Sequence, residues 1–306
     1  MTTPPTSSSS APHTSVMVDE VLDYLNVQSG GRYIDCTVGA GGHSAAILDA
    51  SGPDGRLLGV DADPQALEIA EQRLAAYPGR FVLRQSYFDH LAEVAEETTE
   101  MVPANGVLCD LGISSIQLDR PERGFSFQRE GPLDMRFGPD AELTAADIVN
   151  EYSQEELARV LYEYGDEWRS RRIARAIVER RPLTSTHDLA KAVEQAVGKS
   201  RSIPISRVHP ATKTFLALRL AVNQELRRLS DFLALAHGLL GFGSRIVILS
   251  FHSNEDRIVK NFFRDHSRGE DATYRTLTKK VIRPTPDEVQ RNPRSRSARL
   301  RAAEVL

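Results

Sequence analysis

Two cysteines, one tryptophan and no apolar run long enough to cross a bilayer mark what this 306-residue chain has little of. Cys36 and Cys109 stand alone in strand-like segments, away from any metal-ligand spacing. That excludes a disulfide framework and a zinc ribbon, and makes both of them small core residues of a protein kept in a reducing cytoplasm. The longest apolar stretches, 215–222 and 232–240, are broken by Arg219 and His237 and fall short of the roughly 18 residues a membrane helix needs, so no span is expected. No secretory leader is expected either. Residues 1–12 are rich in Ser, Thr and Pro, with neither a basic start nor an apolar centre, and are expected to form a disordered tail.

Nor is there a strong net charge: the formal value is −4. The average hides a pattern, because the balance is −14 over residues 88–168, +10 over 169–228 and +6 over 272–306. Clustered cations of this kind suit phosphates, although solvated helix faces produce the same runs.

Segments rich in branched residues alternate with helical periodicity early in the chain, the form of a parallel α/β sheet. Strands are predicted at 32–37, 56–61, 81–85 and 106–111, and helices at 43–50, 64–77 and 88–97. Pro64 behind Asp63 reads as a helix start with Asp63 as its N-cap. From residue 112 the alternation gives way to helical patterns alone, at 153–164, at 168–180 and from Thr186, an N-cap candidate, to 197. It resumes with a long helix at 211–240, a strand at 245–250 and a helix at 254–265. The expected organisation is a discontinuous α/β domain of residues 13–111 and 210–306, interrupted by an all-helical domain at 112–209, since compact units do not carry structureless loops of that length.

The first strand, Tyr33-Ile34-Asp35-Cys36-Thr37, opens into Val38-Gly39-Ala40-Gly41-Gly42-His43-Ser44, and Asp61 closes the second strand 22 positions after Gly39. Such glycines let the backbone turn sharply and approach a ligand closely, and an acid at that distance can accept from ribose hydroxyls; the pattern is the entry to an adenosine-cofactor site. Dinucleotide sites need a third glycine where this chain has Ser44. S-adenosylmethionine (SAM) carries no pyrophosphate, so the missing glycine favours SAM; a tight turn without a ligand is the plainer alternative. The fourth strand ends in Asp110-Leu111-Gly112-Ile113-Ser114-Ser115, followed by Gln117. Ligands of open α/β sheets lie beyond the carboxyl ends of the strands at the switch in strand order, so Asp35, Asp61 and Asp110 are expected to face one crevice. By itself Asp110 would read as an N-cap or turn residue.

On these stretches, with Asp61-Ala62-Asp63-Pro64-Gln65-Ala66, Arg123-Gly124-Phe125-Ser126-Phe127, Gly131-Pro132-Leu133-Asp134-Met135-Arg136, His209-Pro210-Ala211-Thr212-Lys213-Thr214-Phe215, Ser250-Phe251-His252-Ser253 and Asn292-Pro293-Arg294-Ser295, the chain resembles the bacterial ribosomal RNA small subunit methyltransferase H family, also called MraW. The resemblance runs from His13 onward; departures are Val38 for a usual aromatic, Gln224 for a usual acid and Asn254 for a usual leucine. It implies a Rossmann-like SAM-dependent methyltransferase sheet and methyl transfer to the exocyclic N4 amine of a cytosine in the decoding region of 16S rRNA, within the small ribosomal subunit. Position by position it implies SAM contacts from Gly41, Gly42, His43, Asp61, Phe88, Asp110 and Gln117. Phe88 and Gln117 rest on the resemblance alone. As a residue, Phe88 fits the core equally well, and His43 fits a helix start, having no partner at metal spacing; no metal is expected.

The amine of cytosine is conjugated with its ring and a poor nucleophile, so acceptors are needed to aim its lone pair. Asp110, or a backbone carbonyl just after it, is expected to accept from the amine, with Ser114 and Ser115 nearby. Phe125 or Phe127 supplies a stacking face or else packs between the domains. Methylation at ring carbon 5 would need a cysteine nucleophile, and Cys109 should point away from the crevice. A target base must leave its stack, so RNA has to be held on both sides. Candidates are Arg171, Arg172, Arg175, Arg180, Arg181, Lys199, Lys213, Arg219 and the 291–301 tail, with His252 on the substrate side or in the core. A SAM-binding assembly factor without catalysis is the alternative of a different class, disfavoured by the intact Asp110 region; a nicotinamide oxidoreductase is disfavoured by Ser44. Oligomeric state is left open.

Overall fold

The computed structural model describes residues 15–198 and 209–306. The expected tail and Lys199 lie outside the described residues. One sheet of seven strands organises the molecule: β1 (Arg32–Asp35), β2 (Arg56–Asp61), β3 (Phe81–Gln85), β4 (Ala104–Asp110), β5 (Leu240–Ser250), β6 (Tyr274–Thr276) and β7 (Arg299–Val305), ordered β3-β2-β1-β4-β5-β7-β6. The first five pair in parallel, with Ile34 opposite both Leu58 and Val107, while β7 runs antiparallel to β5 and β6.

Alternate residues of the central strands enter different cores. Ile34, Leu58, Val107 and Ile246 point to one face; Tyr33, Leu57, Leu108 and Val247 point to the other. Burial on both faces explains why these strands read as continuous apolar runs. On the second face lie α1 (Val18–Leu25), α2 (Gly42–Ala50) and α3 (Pro64–Leu74). On the first face α4 (Leu91–Glu97) packs beside two later helices. After β4, α5 (Ser115–Asp119) leads into α6 (Ala145–Glu151), α7 (Gln154–Glu163), α8 (Ser170–Val178) and α9 (Thr186–Val197), whose apolar faces make a third core, independent of the sheet.

The predicted single helix at 211–240 is two helices, α10 (Thr212–Val222) and α11 (Glu225–Ala236). Asn223 caps the first, and Gln224 adopts left-handed φ 50° and ψ 32°. The break has a tertiary cause: the Asn223 side chain accepts from the Phe137 amide at 2.7 Å and donates to the Met135 carbonyl at 2.8 Å. It also lets the halves serve different cores. Phe215, Leu218 and Val222 of α10 pack with the helical insert, whereas Leu229, Phe232 and Leu233 of α11 pack on the sheet. The return to the α/β domain therefore falls near residue 223, later than the 210 expected from sequence.

Two smaller differences are local. Ser185, one residue before the expected Thr186, caps α9 by accepting from the Asp188 amide at 3.1 Å. Thr186 is buried and ties the insert together, donating to the Arg129 carbonyl and accepting from the Gly131 amide, each at 3.1 Å.

The basic C-terminal stretch is no free tail. It supplies α13 (Pro286–Arg291) and β7, after α12 (Ser253–Asp265) and β6. Arg301, a candidate phosphate contact by sequence, sits inside β7 and donates to both carboxylate oxygens of Asp256, at 2.6 and 3.2 Å. Removing one partner of such a shielded pair strands the other charge. Arg301→Ala is therefore expected to cost about 2–4 kcal/mol of unfolding free energy, read as a lower midpoint in denaturant; an unchanged midpoint would mean that the pair does not hold the strand.

Candidate active site

β1 is flanked by β2 on one side and by β4 on the other, so the chain switches direction of travel across the sheet at the β1/β4 boundary. No crossover covers the carboxyl ends there, and a crevice results. Thr37 bridges it, its hydroxyl accepting from the Asp110 amide at 2.7 Å.

The turn from β1 into α2 is shaped by glycines at positive φ, 53° at Gly39 and 75° at Gly41. A Cβ on Gly42 would come within 1.9 Å of the Ser15 hydroxyl, so a side chain there would have to displace Ser15. Gly39 donates its amide to Asp61 Oδ2 at 2.8 Å, and the Asp63 amide donates to Oδ1 at 2.9 Å. Each oxygen of Asp61 is thereby oriented and keeps a lone pair. Burial pushes this carboxyl up to about 6, against the lowering effect of those two amides.

Asp110 closes β4 with its Oδ1 buried and without a hydrogen-bond partner. Burial raises this carboxyl to about 6 as well; the neighbouring His43 pulls it down, and Asp35 and Glu255 push it up. His43 Nδ1 lies 3.5 Å from Asp110 Oδ2, while its Nε2 is 2.8 Å from the Val16 carbonyl. That carbonyl can only accept, so Nε2 carries a proton, and the ring is fixed as an element of the crevice wall rather than as a mere helix start.

Asp35 departs from expectation. It is only 1 % exposed and accepts from the Thr37 amide at 3.1 Å and the Ser44 hydroxyl at 2.6 Å. Its carboxylate holds the turn from inside instead of facing a ligand. Ser44, read only as a missing glycine, is the other half of that clamp.

Sequence reasoning also missed a clamp centred on Asp63. Beyond capping α3 through the Gln65 amide at 3.1 Å, this buried carboxylate accepts from Gln117 Nε2 at 2.9 Å and Arg123 Nη1 at 2.7 Å. Arg123 in turn donates to the carbonyls of Arg136 and Phe137, each at 2.9 Å. Gln117 is thus tied to the crevice through Asp63, and it completes a capping box with Ser114, whose hydroxyl caps α5. Ser115 opens that helix.

Other candidates are placed elsewhere. Phe88 is half-buried and meets Phe232 edge-on at 5.7 Å, a core contact of α11 with the 3-10 turn that precedes α4. Phe125 is buried in the helical core, stacked on Phe137 at 5.5 Å with the Arg123 guanidinium 5.7 Å from its ring, so it offers no free face for a base. Phe127 stacks on His209 at 4.5 Å and meets Phe215 edge-on at 5.0 Å. Both rings thus pack within the helical core and not between the domains. His252 caps α12, with Nε2 2.9 Å from Glu255 Oε1. Burial pushes the Glu255 carboxyl up, but His252 and Arg219 outweigh it and leave it below the ordinary value.

Of the basic candidates, Arg219 is spent on Glu225 at 2.8 and 3.0 Å, and Arg181 on the carbonyls of Val149 and Tyr152 at 2.7 and 2.5 Å. Arg180 chelates the side-chain oxygen of Gln195, and Lys213 donates to the Asp166 carbonyl at 2.8 Å. Arg171, Arg172 and Arg175 stay exposed on α8. Among the described residues no cluster of three potential metal ligands occurs, and no helix is long and apolar enough to cross a membrane.

The comparisons agree on one family. The MraW methylase family profile matches residues 10–306. The ribosomal RNA small subunit methyltransferase H of Dehalococcoides mccartyi is 49% identical over 308 residues, covering 96% of this chain and 87% of that protein. Its namesake in Thermotoga neapolitana is 49% identical, covering 96% of each, and that in Acidobacterium capsulatum is 46% identical, covering 95% of this chain and 98% of that protein. With nearly its whole length matched in both ways, this chain belongs to the MraW methylase family.

Proposed function

We propose that this chain is a SAM-dependent methyltransferase of the cytoplasm, acting on the exocyclic N4 amine of a cytosine in the decoding region of 16S rRNA within the small ribosomal subunit. The observation that carries the reading is the buried, unpartnered Asp110 Oδ1 at the β1/β4 switch, beside a turn that left-handed glycines shape. A lone acceptor in that position suits a cationic ligand, and SAM carries both an ammonium and a sulfonium charge. The residues present fit the cofactor: the backbone at Gly39 is open to approach, Asp61 has oriented lone pairs for ribose hydroxyls, and His43 and Gln117 are each held in place by a hydrogen bond. When bound, SAM supplies an electrophilic methyl group.

The part left to the chain is positioning. An acceptor on Asp110, or on the backbone just after it, takes a hydrogen bond from the amine and turns its lone pair toward the crevice, and proximity does the rest. Chemistry at ring carbon 5 is disfavoured by Cys109, which is fully buried and whose thiol is pushed well up by burial, with further upward pushes from Cys36 and Asp110. The alternative, a SAM-binding assembly factor without catalysis, predicts affinity for SAM and no transfer.

Transfer of labelled methyl from SAM to small subunits lacking the modification, with the product nucleotide identified by mass spectrometry, tests the proposal; product on any atom other than N4 overturns it. Asp110→Ala is expected to lower kcat/KM at least 100-fold, whereas persistence of both SAM binding and methylation would remove Asp110 from the site.

The pH dependence follows from the raised carboxyls. Asp61 and Asp110, with pKa values of about 6, are increasingly protonated as pH falls below that value, and the ligand needs both ionised. SAM affinity is therefore expected to be flat above about pH 7 and to weaken below about pH 6, with protons released on binding near pH 6. Calorimetry in two buffers of different ionisation enthalpy reads this directly; identical heats at pH 6 would contradict it.

A further inference from the structure

Trp168, the only tryptophan of the chain, is 71 % exposed, and Tyr162 nearby is 62 % exposed. Both border a groove of about 740 Å³ between α7 and α8, and Arg159, Arg169, Arg171 and Arg172 line the same groove. The Arg169 guanidinium lies 4.4 Å from the centroid of the indole ring. None of the four arginines forms a salt bridge among the described residues, in contrast to Arg219 and Arg301, which are neutralised inside the protein. Arg169 lies against the exposed indole and three further arginines line the same groove, an arrangement that offers an aromatic surface and cations together to one ligand.

The geometry points to this groove as a binding site for a single-stranded RNA segment, one unpaired base stacking on Trp168 while the arginines take the adjoining phosphates. Indole and guanidinium planes accept any base face, and planar guanidinium forks match phosphate oxygens. The cations also exceed the acids of the groove, where Glu155 is the single carboxylate against four arginines. This deepens the reading of the chain as an RNA methyltransferase and rests on it. In that setting, the site holds RNA that flanks the target base.

Because Trp168 is the only indole, fluorescence excited selectively at tryptophan and not at the eight tyrosines reports this groove alone. The probe is an unstructured 12-nucleotide pyrimidine RNA titrated into the full chain. Saturable quenching is expected, weakened by added salt, and the Kd from fluorescence anisotropy of the same RNA, end-labelled, should rise about tenfold in Trp168→Ala and recover in Trp168→Phe. Methyl transfer by Trp168→Ala to small subunits should show a raised KM with kcat unchanged. No RNA binding, binding without quenching, an unchanged Kd in Trp168→Ala, or quenching by poly-glutamate but not by RNA would each overturn the assignment, the last by giving the groove to an acidic protein. Quenching by RNA with no methyl transfer would leave the groove standing and sink the proposed activity instead.

Discussion

The parallel pairing of β1 with β2 on one edge and β4 on the other is the constraint on which the site depends. Hydrogen bonding fixes Asp35, Asp61 and Asp110 at one end of the sheet, and the switch between β1 and β4 keeps helices off that end. The polar atoms there cannot be paired by regular structure. Some are paired by local devices, as Asp35 is by Thr37 and Ser44. Asp110 Oδ1 is left over, and a buried acceptor without a partner is worth its cost only when something else supplies the donor.

The second feature is how the helical insert is joined to the sheet. Polar side chains carry much of the junction, and α12 adds to it, with Asn254 donating to the carbonyls of Glu163 and Tyr164. Asp63 holds Gln117 and Arg123, Arg123 holds the backbone at 136 and 137, and Asn223 holds the same loop from the other side. Their donors and acceptors satisfy one another with little exposure to water, so the insert is fixed by directional bonds where apolar contact alone would let it slide.

The arginines separate by what they face. Arg181, Arg219, Arg228 and Arg301 are committed to carbonyls or carboxylates of the chain, Arg228 lying 2.7 Å from both oxygens of Asp89. Those of α8 and the turn before it face solvent beside exposed aromatics. A charge count along the sequence merges the two groups, although only the second can meet a phosphate.

By itself the sequence determined the parallel sheet, the glycine turn, the acids at 61 and 110 and the presence of a helical insert. These follow from local periods, from residues whose φ only glycine adopts easily, and from spacing within a single β-α-β unit. Tertiary structure alone decided the break at Asn223, the Asp63 clamp, the burial of Phe125 and the capture of Arg301 in β7. Each depends on a partner distant in the chain, 60 positions from Asp63 to Arg123 and 45 from Arg301 to Asp256. A side chain's type states what it can bond; only the packed fold states which bonds are already taken.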